Sequence, residues 1–143
     1  MIFVMMRMMT DMKGWVFMEL RLQGDAYETE TAFGTLTVSS DERFGFRPYQ
    51  LMVASIAGCS GTVMKKILAK KRIPVESIRI NAEVTRNKEK ADRIEAIHLT
   101  FTVKADGLDH RQMDKIMELT RKHCSMVQSV QDSIQITESY ELL

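Results

Sequence analysis

The sequence predicts an α+β fold in a single domain, with elements in the order βββ-α-ββ-αα-β. Three observations carry this prediction. Apolar and polar residues alternate over residues 18–23, 78–85 and 97–104, the period of strands with one buried face. A run from Leu51 to Gly58, opened by Pro48, is apolar around its whole circumference, the pattern of a buried helix. Met113, Ile116, Met117, Thr120 and Cys124 share one face of a second helix. Strands and helices mixed in this way, with no repeat or long linker, define the class.

The elements follow in order. Met18, Leu20 and Leu22 face one way and Glu19, Arg21 and Gln23 the other, within a strand read over residues 15–23. Gly24-Asp25 marks a tight turn. Residues 26–31 form a second strand, Phe33-Gly34 turns again, and the β-branched residues of 35–39 form a third. The three make an antiparallel meander. Residues 40–47 are a loop in which arginines and aromatics interleave: Arg43, Phe44, Phe46 and Arg47. Pro48 then starts a helix that runs to Arg72, is rich in lysine at its C-terminal end, and is stopped by Pro74. Its apolar circumference predicts burial on all sides.

Ile78, Ile80, Ala82 and Val84 alternate with polar residues, as do Ile97, Leu99, Phe101 and Val103. The two runs form a hairpin around a turn at 87–91. After Gly107, Asp109 and Gln112 have the spacing of a capping box. The helix they start ends near Cys124, a short helix follows over 125–130, and a strand over 134–141 closes the chain.

Composition sets bounds on function. The chain has 143 residues, 45% of them hydrophobic, which suits one globular domain with a real core. A net charge of +1 gives no argument for nucleic acid or an anionic membrane as partner. Two cysteines do not make a secreted disulfide scaffold, so a reducing, cytoplasmic setting is expected. The first nine residues hold five of the twelve methionines and are too short to span a membrane. Residues 1–16 are read as an N-terminal tail, or a start assigned too early, and 17–143 as the domain.

The cysteines are the chemical clue. Cys59 lies in Ala57-Gly58-Cys59-Ser60-Gly61 and Cys124 in His123-Cys124-Ser125-Met126, each on a predicted helix and each followed by serine. Two thiols far apart in sequence that meet in a core suggest redox chemistry. Two buried structural thiols fit the same pattern, because free cysteine is among the most buried residue types. No CxxC or HxxxH spacing supports a zinc site, and no base stands at the spacing of a cysteine hydrolase.

Together, the element order, Pro48-Tyr49-Gln50-Leu51, Ala57-Gly58-Cys59-Ser60 and His123-Cys124-Ser125 resemble the OsmC/Ohr family of peroxide-reducing proteins, over roughly residues 17 to 143. The resemblance implies an intertwined homodimer with antiparallel sheets wrapped around central helices. It implies that Cys59 attacks the peroxide and Cys124 resolves it, with no cofactor or metal. Organic hydroperoxides, or more weakly hydrogen peroxide, would be substrates, and a dithiol such as dihydrolipoamide the reductant. The role would be a thiol peroxidase of peroxiredoxin type in oxidative stress defence.

The family pattern also has a glutamate after the helix-opening proline, orienting an arginine toward the thiolate. Here Tyr49 and Gln50 stand instead, with uncharged oxygens as acceptors, and Arg43 and Arg47 are the nearest candidate arginines. The second cysteine is followed by Ser125 where the family often has proline. A slow peroxidase is the expectation. The alternative is a non-catalytic protein of the same fold that binds an apolar small molecule near Cys59. A depressed Cys59 pKa favours the first reading and a raised one the second.

Overall fold

A computed structural model describes residues 18–143, so the expected tail and the first residues of the expected first strand lie outside it. The chain divides into two compact units that meet in sequence at Pro48 and Tyr49.

The first unit is the meander. Strands β1 (Arg21–Gln23), β2 (Ala26–Glu30) and β3 (Thr35–Val38) pair in the order β1-β2-β3, all antiparallel. Gly24 makes the first turn at φ 60°, a conformation that costs glycine little. The loop after β3 is tied to the sheet: Phe46 N–H donates to Thr37 O, and Ser39 N–H donates to Phe46 O. Gly45 permits that approach, since a Cβ there would lie 2.9 Å from Thr37 O. The apolar face expected to be half buried is open within one chain, with Met18 55%, Leu20 46% and Leu22 62% exposed.

The second unit carries the core. Helix α1 (Pro48–Lys70) ends two residues before the expected limit. The reason is local: Arg72 turns left-handed at φ 57°, and its N–H and that of Ile73 close back onto Ala69 O and Leu68 O. The expectation of burial on all sides is corrected within the single chain. Ile56, Ser60, Met64 and Leu68, four residues apart, form one buried stripe, while Met52 and Ala54 are exposed. By length and mean hydropathy, 1.3, α1 could pass for a membrane span, yet its buried stripe belongs to the protein's own core.

That core lies against β5. Strands β4 (Val75–Asn87) and β5 (Arg93–Ala105) form the long antiparallel hairpin. Ile97, Leu99, Phe101 and Val103 alternate inward along β5 and are fully buried. Strand β6 (Gln135–Leu142) pairs with β5 in parallel, Ile97 opposite Ile136 and Val103 opposite Leu142. This sheet is therefore mixed, where wholly antiparallel sheets were expected. The cause is the connection: two helices carry the chain back to the end of the sheet where β5 began, and such a crossover produces a parallel neighbour.

Those helices are α2 (His110–His123) and α3 (Ser125–Val130). Asp109 caps α2 as predicted. Its carboxylate accepts from Gln112 N–H at 2.7 Å, and Gln112 Oε1 accepts from Asp109 N–H at 3.1 Å. Met113, Ile116 and Thr120 form the buried face of α2. Cys124, expected within a helix, is instead the extended residue between α2 and α3, at φ −79° and ψ 106°.

Candidate active site

Cys59 and Cys124 come together from different elements. Cys59 sits mid-way along α1, beside the buried stripe rather than on it, and is half-buried. Cys124 is fully buried at the break between α2 and α3, where its N–H still donates to Thr120 O at 2.9 Å. The break turns its side chain toward α1. Ser60 Oγ donates to Cys124 Sγ at 3.2 Å, and Cys59 Sγ lies 3.7 Å from Ser125 Oγ. The two sulfurs are themselves polar neighbours, each affecting the ionisation of the other.

The surroundings separate the two thiols. Burial pushes Cys59 up, but hydrogen bonds from Met126 N–H, from Cys124, and from the hydroxyl and N–H of Ser125 outweigh it. The net effect holds Cys59 below the ordinary thiol range. Burial also pushes Cys124 up, and there it prevails over donation from Ser60 and Val127 N–H; the neighbouring Cys59 adds to the rise. One thiol is thus accessible and inclined to ionise, and the other is enclosed and inclined to stay protonated.

The other expected site residues are arranged differently. Arg43 is bound to Asp41, Nη2 to Oδ2 at 2.6 Å, and its guanidinium lies 5.3 Å from the Phe44 ring centre. Arg47 exerts a weaker pull on the same Asp41 carboxylate. Tyr49 lies beneath Arg86, whose guanidinium carbon is 4.5 Å from the ring centre. Arg86 also pairs with Asp92, at 3.0 Å, and donates from Nε to Asp92 O at 2.9 Å. Gln50 is exposed in the first turn of α1. Gly58 has open space where a side chain would stand, but at Gly61 a Cβ would meet Ile80 Cδ1 at 2.8 Å. Gly61 therefore serves the packing of α1 on β4.

Ser60, Ser125 and Arg86 were not singled out from the sequence as functional. For the serines a signal existed, the repeated Cys-Ser pair. Arg86 had none, being one polar position at the end of an alternating strand. Among the described residues no three or more His, Cys, Asp or Glu side chains gather as a metal site. A groove of about 460 Å³ runs beside α1 past Gly58, Lys65, Ile78 and Ile80, and Cys59 does not line it.

Residues 39–139 match the OsmC-like protein family. A hypothetical protein from Aquifex aeolicus VF5 is 25% identical with a TM-score of 0.79, covering 89% of this chain and 95% of that one. An OsmC-like protein from Mycoplasma pneumoniae, 14% identical, has the same fold at a TM-score of 0.79, covering 92% and 99% of the two chains. The organic hydroperoxide resistance protein OhrB of Bacillus subtilis, 16% identical, superposes with a TM-score of 0.57 over 90% of this chain and 98% of its own. A comparison with curated proteins found no match.

Proposed function

The chain belongs to the OsmC-like protein family, and from that premise we propose that it reduces organic hydroperoxides through a two-cysteine thiol cycle. The observation that carries the proposal is the pairing of a half-exposed Cys59 of depressed pKa with a buried Cys124 of raised pKa. In the first step the Cys59 thiolate attacks the terminal peroxide oxygen. An S–O bond forms, the O–O bond breaks, and the alkoxide takes a proton and leaves as alcohol. Cys124 then gives up its proton and attacks the Cys59 sulfenic sulfur. Hydroxide leaves as water and a disulfide remains. An external dithiol, for which dihydrolipoamide is the chemical type, restores both thiols by exchange and becomes a disulfide itself.

The working form in this proposal is a homodimer in the reducing cytoplasm. Its support is the apolar surface left open in one chain: Met18, Leu20 and Leu22 on the meander and Met52 on α1. The thiolate is favoured by the donors at residues 124–126. Fold alone also allows a non-catalytic protein that binds an apolar molecule. The meeting of the two Cys-Ser pairs, each serine beside the other pair's sulfur, favours redox chemistry over that reading.

The test is turnover of cumene hydroperoxide with a dithiol as reductant. Cys59→Ser should abolish it. Cys124→Ser should stop after one attack and accumulate a sulfenic acid that dimedone traps. Full turnover in Cys59→Ser would overturn the proposal, and loss of activity with no trappable sulfenic acid would reverse the two roles.

A further inference from the structure

Ser60 is the polar member of the buried stripe of α1, lying between Ile56 and Met64 with no exposed surface. A serine inside a helix ordinarily satisfies its hydroxyl on a carbonyl of its own preceding turn. Among the described residues, three hydroxyls do so: Ser55 on Met52 O, Thr62 on Gly58 O, and Ser129 on Ser125 O. Ser60 instead directs its hydrogen bond out of the helix, to Cys124 Sγ at 3.2 Å. The sequence repeats the arrangement in reverse, since the serine after Cys124 stands beside Cys59. The two Cys-Ser pairs are crossed, each serine serving the other pair's sulfur.

We infer that Ser60 is a catalytic residue of the regeneration step, donating to Cys124 sulfur as it leaves the Cys59–Cys124 disulfide as a thiolate. The inference rests on the two-cysteine reading above and assigns a residue to its reductive half. Cys124 is fully buried and Cys59 is not, so an incoming thiolate attacks Cys59 Sγ. A new S–S bond forms between reductant and Cys59. The Cys59–Cys124 bond breaks, and its electron pair goes to Cys124 Sγ. Exchange is slow when the leaving thiol is a poor leaving group, and burial makes Cys124 one. A fixed hydroxyl donor at the leaving sulfur offsets that. The second thiol of the reductant then displaces Cys59, and the proton it releases goes to Cys124.

The experiment separates the two half-reactions. Disulfide is formed with diamide, so that no peroxide activity is needed. Its reduction by dithiothreitol is then followed in wild type, Ser60→Ala, Ser60→Thr and Ser55→Ala. Ser60→Ala should slow reduction on the order of ten-fold, the effect of losing a hydrogen bond to a charged group. Its rate of Cys59 oxidation by cumene hydroperoxide should stay within about two-fold of wild type. Ser60→Thr, which keeps the hydroxyl, should recover much of the lost rate, and Ser55→Ala, whose hydroxyl bonds Met52 O in its own helix, should leave reduction of the disulfide unchanged. Equal reduction rates in wild type and Ser60→Ala, or equal slowing in Ala and Thr variants, would overturn the inference. If the disulfide forms with diamide but Cys59→Ser still turns over hydroperoxide, the two-cysteine reading fails instead.

Discussion

At the scale of single residues, the two thiols sit in contrasting surroundings. Cys59 is half-exposed beside the donors of Ser125 and Met126, while Cys124 is enclosed, with its chain N–H bound to Thr120. Alkylation with iodoacetamide near neutral pH should therefore label Cys59 and leave Cys124 unmodified in the folded protein, as mapped by peptide mass. Equal labelling of both would contradict the arrangement. Ser125→Ala should move the Cys59 titration, read by thiolate absorbance, up toward the ordinary thiol range. The linkage has opposite signs at the two sulfurs. The depressed Cys59 pKa contributes stability above the unfolded thiol pKa, and that contribution is lost as pH falls through the folded value. The raised Cys124 pKa contributes stability below the unfolded thiol pKa, lost as pH rises through its folded value. Removing the thiol with Cys124→Ser should thus reduce the alkaline decline in denaturant midpoint.

At the scale of elements, α2 starts where its own residues dictate. Asp109 and Gln112 satisfy each other's backbone N–H groups. Asp109→Ala should lower stability by about 1 kcal/mol in urea denaturation. Strand β5 depends on packing instead. Phe101→Ala removes a fully buried ring from the core cluster and should cost about 3–5 kcal/mol by the same measurement. The fully exposed Phe33 is the control, and its replacement by alanine should change stability by less than about 0.5 kcal/mol. The break between α2 and α3 does more than connect them. An uninterrupted helix would place Cys124 in regular rotation with Thr120 and Gln128, whereas its extended backbone presents the sulfur to Ser60.

At the scale of the whole molecule, the proposed dimer rests on apolar residues that one chain leaves exposed. Isolated exposed apolar residues need no explanation. Met18, Leu20 and Leu22, however, alternate along the run of chain that leads into β1, and α1 leaves Met52 and Ala54 exposed. Sedimentation velocity at micromolar concentration should give twice the mass of the chain. A monomer whose mass does not change with concentration would contradict the proposed dimer. Leu20→Lys with Leu22→Lys should shift the population toward monomer, since burying unpaired charges in an interface is costly.

What the sequence determined by itself is whatever depends on near neighbours in the chain. Alternation over 97–103 names the four fully buried residues of β5, and Asp109 and Gln112 start α2. The element order and the two Cys-Ser contexts mark the family, because a family signature is a matter of short segments and their order. Tertiary structure alone decided the rest. The parallel pairing of β6 with β5 follows from the path of the two-helix crossover, not from the residues of either strand. The stack of Arg86 on Tyr49 joins the end of a strand to the start of a helix, and neither local pattern encodes it. The single buried stripe of α1 depends on what covers the helix, which apolar periodicity cannot specify when every side is apolar. The crossed hydrogen bonds of the two serines, and with them the opposite tendencies of the two thiols, arise only where α1 meets the α2–α3 break, because ionisation responds to neighbours in space.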